Sequence, residues 1–250
     1  MLTDLTAGPK DTLPMWRMAL PGRPLTGLTV LVVEDSRFAS EAVRLLCLRS
    51  GARIRRADCL RSAERHLRTY RPAVVIVDLG LPDGDGAGLI RQIASAEPRV
   101  PVVLGLSGDP DGRDAAMSAG ADGFLTKPVE SLATFQQAIL SALPPEARSA
   151  GPRLLPDDVI QPDTSGLRDD LAHVAEILSN AHDTAAIDYI ARFLAGVARS
   201  AHDAALEDAA TALARDHQAG HALASDLARI SSMVQDLSLI HISEPTRPLY

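Results

Sequence analysis

Aromatic side chains are scarce in this chain, at 3% of its residues. Proteins that stack the bases of single-stranded nucleic acid need such rings in number, so that mode of binding is poorly served. Cysteine is nearly absent. Cys47 and Cys59 form no spacing motif, and their scarcity suits a reduced, cytoplasmic setting. No apolar run approaches the roughly 20 residues of a membrane span, and no signal peptide is evident. Positive charge is also short. A net charge of −7 argues against a general binder of phosphate backbones, and no nucleic-acid or membrane partner is expected. Lysine is the scarcest basic residue: apart from Lys10 there is Lys127, and every other base is arginine. Against that bias, a lone lysine marks a place where an ammonium is wanted.

What is present is a strongly apolar chain, 46% hydrophobic over 250 residues, enough for one or two packed domains. Residues 1–26 hold Pro9, Pro14, Pro21 and Pro24 without periodicity and read as a flexible tail. Strands are predicted at 28–33, 52–57, 74–78, 100–107 and 120–125. Helices are predicted at about 42–50, 62–70, 86–96, 113–119 and 131–143, with 79–86 as a loop. Strands alternating with helices give a doubly wound α/β unit over 27–143, with a five-stranded parallel sheet in flavodoxin-like order. Val74-Val75-Ile76-Val77 is the clearest strand, an apolar run suited to burial on both faces.

Residues 144–165 contain Pro144, Pro145, Pro152, Pro156 and Pro162 and read as an extended linker. Residues 166–236 are Ala-rich and proline-free, with apolar positions at helical spacing. Three or four helices in a small all-α bundle are expected there.

The chemistry gathers at strand ends. Glu34 and Asp35 end the first strand, Asp78 the third, Ser107 the fourth, and Lys127 the fifth. Open α/β sheets place their sites at these carboxyl ends. Three carboxylates in one cleft need a cation, and hard oxygen ligands suit Mg²⁺. A hydroxyl and an ammonium beside them can hold a phosphoryl group, so the set points to phosphoryl transfer onto a carboxylate. Asp83 and Asp85 read as turn residues without a chemical role.

With these residues in view, 28–143 resembles the receiver domain of two-component response regulators. Val32-Val33-Glu34-Asp35-Ser36 is similar to the family's acidic pair, and Val77-Asp78-Leu79-Gly80-Leu81-Pro82 to its phosphoacceptor loop. Leu106-Ser107-Gly108 is similar to its switch hydroxyl with a small residue after it. Phe124-Leu125-Thr126-Lys127-Pro128 resembles its switch aromatic, its lysine and the proline after a cis peptide. The resemblance implies that Asp78 accepts phosphate from a histidine kinase or histidine phosphotransfer protein. It implies Mg²⁺ held by Glu34, Asp35, Asp78 and the Gly80 carbonyl, and Lys127 and Ser107 on the phosphoryl group. Phe124 would turn inward on activation. A phosphoacceptor of this kind is not a dedicated enzyme, although it can dephosphorylate itself. A homodimer is compatible with it.

The helical region carries five arginines against eleven acids between Leu167 and Asp236, a net of −6, which disfavours a DNA-binding output. His217 and His221 stand four apart without a third ligand and read as surface histidines. Arg192-Phe193-Leu194-Ala195-Gly196-Val197-Ala198-Arg199-Ser200 resembles the central helix of histidine phosphotransfer domains, with Arg192 where that family has its phosphorylatable histidine and Ala195 where it has a lysine. A degenerate module that works by protein contacts is implied. Residues 237–250 resemble the conceptual translation of a sequencing adapter and are expected to be non-native. The alternative reading is a regulatory receiver whose catalytic or DNA-binding output has been truncated.

Overall fold

The computed structural model describes residues 22–144, 155–180 and 184–240. The expected flexible tail falls mostly outside them. Its last residues are docked: Leu25 is fully buried, and its N–H donates to the Ser50 carbonyl at 3.0 Å.

The α/β unit runs β1 (Thr29–Val33), α1 (Arg37–Arg49), β2 (Arg53–Ala57), α2 (Leu60–Thr69) and β3 (Val74–Asp78). A hairpin of β4 (Gly80–Leu81) and β5 (Gly84–Asp85) follows, then α3 (Gly86–Ala94) and β6 (Val102–Ser107). It ends with α4 (Gly112–Ser118), β7 (Gly123–Thr126) and α5 (Leu132–Ala142). The 5-stranded sheet has the order β2-β1-β3-β6-β7 and is parallel throughout. This is the flavodoxin-like arrangement.

Side-chain alternation divides the core into two layers. Val30, Val32, Val74 and Ile76 join Val43, Leu46, Phe135 and Ile139 on the α1/α5 face. Leu31, Val33, Val75 and Val77 join Ala63, Ile90 and Ile93 on the other. Every residue of β3 is buried, which explains its unbroken apolar run. Each such side chain contributes about 1.5–3 kcal/mol by burial. β2 lies at the sheet edge and exposes Arg53, Arg55 and Arg56, so its pattern is weaker.

The loop after β3 has more order than the sequence suggests. Asp83 accepts from the Leu60 and Arg61 N–H groups at 2.8 and 3.0 Å, fixing the hairpin to the start of α2. Asp85 accepts from Ala87 N–H at 2.9 Å and caps α3. Both turn aspartates therefore hold the loop that carries Gly80.

Four helices follow: α6 (Thr164–Asn180), α7 (Thr184–Ser200), α8 (Ala204–Gln218) and α9 (Ala224–Ile240). Leu171, Ile190, Leu194, Leu213 and Ile230 form their core. Helix α9 continues through 237–240, so the first residues of the stretch expected to be non-native are helical; 241–250 lie outside the described residues. Of the expected linker, 145–154 also lie outside. Its described part is extended but not a free spacer, because Ile160 is buried and Val159 bridges Ser131.

Two glycines in α3 test how tightly this loop is built. A Cβ at Gly86 would overlap the Asp78 carbonyl, whereas one at Gly88 would meet nothing within 4 Å. Gly86→Ala is expected to cost about 1–3 kcal/mol as overpacking. Gly88→Ala should add up to about 1 kcal/mol through helix propensity. Thermal melts of the two variants should move in opposite directions.

Candidate functional site

Four strand ends bring the candidate residues together. Glu34, Asp35 and Asp78 each offer a carboxylate oxygen within 4.8 Å of the others. Lys127, from the end of β7, sits among them. Its Nζ lies 2.7 Å from Glu34 Oε2 and 3.0 Å from Asp78 Oδ1. Lys127 and both of those carboxylates are buried, so the ion pairs escape the solvent screening that weakens the exposed Arg44–Glu41 and Arg68–Glu64 pairs. The Lys127–Pro128 peptide is cis, as the resemblance implies.

Electrostatics explain why the cluster needs every member. Burial alone would lower the Lys127 ammonium, but Asp78 and Glu34 outweigh it and hold it above its ordinary range. Burial pushes the Glu34 carboxyl well up, against the pull of Lys127. Glu34 Oε2 faces the ammonium as an ion pair but takes no well-aimed hydrogen bond. Three carboxylates against one ammonium leave the cleft negative, and an under-bonded buried oxygen lies within it. That donor set, all oxygen and anionic, fits a hard divalent cation such as Mg²⁺.

Ser107 and Gly80 line the same cavity of about 370 Å³ as Asp78 and Lys127. Ser107 Oγ accepts from Asp109 N–H at 3.0 Å. Phe124 does not stand outside waiting to turn. It is already 9% exposed, packed against Gly105, with the Arg113 guanidinium 5.5 Å from its ring centre.

The helical region also contributes to this cavity, a contact that no local pattern announces. Arg192, Phe193, Gly196 and Arg199 of α7 line it. Tyr189 donates its hydroxyl to Asp35 Oδ2 at 3.0 Å. Burial and the Asp35 charge keep that phenol protonated, well above its usual range. Asp170 of α6 caps the start of α1, accepting from Ser36 Oγ at 2.7 Å and from the Arg37 and Phe38 N–H groups at 2.8 and 3.1 Å. Burial still leaves its carboxyl somewhat raised. No spacing rule marks Tyr189, Asp170 or Arg199, because each acts across a tertiary interface. The Asp169-Asp170 doublet was the available hint, and it resembled an ordinary solvated pair.

His217 and His221 each meet a carboxylate. His217 Nδ1 lies 2.8 Å from Asp188 and is partly buried, so it is not the open surface histidine expected; His221 Nδ1 is 3.4 Å from Asp216. Among the described residues, no group other than Glu34, Asp35 and Asp78 is arranged to hold a metal, and no helix is long and apolar enough to cross a membrane.

Burial moves the Asp35 carboxyl from 3.8 up to about 6, against Lys127. Its charge therefore costs stability above that value, and the cost fades as pH falls toward about 4, where the unfolded carboxyl also protonates. Asp35→Asn, which can still accept from Tyr189, should raise the melting temperature of the metal-free protein at neutral pH. Each kcal/mol gained corresponds to about 2–4 °C. The gain should vanish below about pH 4. Added Mg²⁺ should stabilise the wild type and stabilise the variant less.

Residues 30–139 match the family model described as the response regulator receiver domain. The virulence transcriptional regulatory protein PhoP of Salmonella typhimurium is 35% identical over 117 residues, 45% of this chain and 52% of that protein. The KDP operon transcriptional regulatory protein KdpE of Escherichia coli is 35% identical over 99 residues, 40% of this chain and 44% of that protein. The chain thus spans about half the length of the curated relatives it matches. Among solved structures, a receiver domain of a signal transduction histidine kinase from Syntrophus aciditrophicus is 27% identical with a TM-score of 0.43, covering 51% of this chain and 98% of that one. The receiver domain of the sensor histidine kinase PA1611 from Pseudomonas aeruginosa, solved with a coordinated magnesium ion, is 26% identical with a TM-score of 0.41, covering 46% of this chain and 95% of that one. The parallel α/β unit at 30–139, with its acidic cleft and buried lysine, is a response regulator receiver domain of the two-component signalling family.

Proposed function

We propose that this chain is a phosphorelay response regulator in which Asp78 accepts a phosphoryl group from a histidine kinase or histidine phosphotransfer protein. The observation that carries the reading is the pairing of Asp78 Oδ1 with the Lys127 ammonium at 3.0 Å, inside a cavity that also holds Ser107. An Asp78 oxygen attacks phosphorus; the new P–O bond forms as the P–N bond to the donor imidazole breaks. Lys127 is poised to hold one phosphoryl oxygen and the Ser107 hydroxyl another. Catalysis of this kind is positioning and charge neutralisation. A divalent cation bound by Glu34, Asp35, Asp78 and the Gly80 carbonyl would neutralise charge on the transferred group.

The added charge is roughly −1.5 to −2. It falls among elements that the helical region touches directly, so the signal has a short path into α6 and α7. Output through protein contacts follows from that arrangement and from the net −6 of residues 167–236. The relatives named as transcriptional regulators match less than half of this chain and about half of their own length, which keeps a longer output protein as the second reading.

With Mg²⁺ and acetyl phosphate as a small phosphodonor, the full chain should acquire phosphate that is labile to acid, to alkali and to hydroxylamine, as acyl phosphates are. Asp78→Asn should carry none. Lys127→Ala should lower labelling by at least about tenfold, because one charge-assisted contact to the phosphoryl group is lost. Undiminished label on Asp78→Asn would remove the reading.

A further inference from the structure

The receiver cleft in this chain has a roof. Asp170 fastens α6 to the turn that carries Asp35, Tyr189 binds Asp35 itself, and His202 meets Glu130 beyond Lys127 at 2.7 Å. Helix α7 is thereby laid across the cavity above Asp78, and Arg192 and Arg199 are the cationic side chains that line it besides Lys127.

Arg199 is held for a purpose within that roof. Its Nε and Nη2 both point at Glu207 Oε1, at 2.9 and 2.7 Å, which fixes the guanidinium plane. Nη1 is left over the backbone of Gly108, the residue after Ser107. A Cβ at position 108 would overlap Nη1, and the nearest atoms it would meet all belong to Arg199. The glycine therefore admits this one side chain. Nη1 takes no hydrogen-bond acceptor among the described residues. A guanidinium with a free N–H, half-buried beside the switch hydroxyl, is a ready donor to a phosphate oxygen.

We propose that Arg199 is a phosphate ligand supplied in cis by the helical region, so that the phosphoryl group on Asp78 is bound by both modules and tightens their docking. This rests on Asp78 being the phosphoacceptor. Charge on Asp78 then draws α7 down onto Gly108 rather than releasing it, and by reciprocity the docked roof raises the affinity of the cleft for the phosphoryl group.

The test is calorimetric titration of the full chain, in Mg²⁺, with beryllium trifluoride, an analogue of the aspartyl phosphoryl group. Arg199→Gln should weaken binding about tenfold, the lower range for one charge-assisted hydrogen bond. Gly108→Ala leaves every helical residue intact and should weaken the wild type similarly, yet add nothing to Arg199→Gln. Hydrogen exchange in α6 and α7 should slow on adding the analogue. Unaltered affinity in Arg199→Gln, additive losses in the double variant, or faster exchange in α7 would each overturn the inference while leaving Asp78 as acceptor. Asp78→Asn binding the analogue as tightly as the wild type would instead remove the reading beneath it.

Discussion

The buried ammonium of Lys127 is the constraint on which this receiver depends. Two glutamate and aspartate oxygens lie within 3.0 Å of it, and Asp35 closes the cluster. A carboxylate buried without such a partner would neutralise rather than stay ionised. Lys127 pairs with both Glu34 and Asp78, and the third carboxyl group, Asp35, leaves room for a further cation. Removing one partner from a buried pair costs on the order of 3–5 kcal/mol, far more than an exposed bridge contributes. The sheet supplies this geometry cheaply: parallel strands end together, and apolar β3 delivers Asp78 to their common edge.

The helical region is part of the same electrostatic unit. Asp170 satisfies the donors at the start of α1, where a helix N-terminus favours negative charge. Tyr189 hydrogen-bonds a carboxylate that is a candidate metal ligand, so a cation bound there would share Asp35 with the docking contact. Arg192 lines the same cavity as Asp78. A guanidinium there can hydrogen-bond a phosphate oxygen.

The receiver was readable from sequence because its signals are local. Apolar runs ending in Glu34, Asp78, Ser107 and Lys127 mark buried strands and their edges, and the alternation of elements leaves few topologies. The boundary hardly moved at exposed β2, which begins at Arg53, and moved further at β7, which begins only at Gly123. The short hairpin around Asp83 was hidden because its strands are two residues each. The interface was not readable at all. Asp170, Tyr189 and Arg199 look like ordinary helical polar residues until α6 and α7 are set against α1 and the cleft. Phe124 was placed correctly on β7, but its inward position depends on Gly105 leaving space beneath the ring.

The phosphoryl group is expected on Asp78, beneath α7. Borohydride reduction of the phosphorylated full chain converts an aspartyl phosphate to homoserine, which peptide mass spectrometry can locate. The account requires homoserine at position 78 and at no other acidic residue. Homoserine at Asp35, Asp83 or Asp85, with Asp78 unmodified, would contradict it.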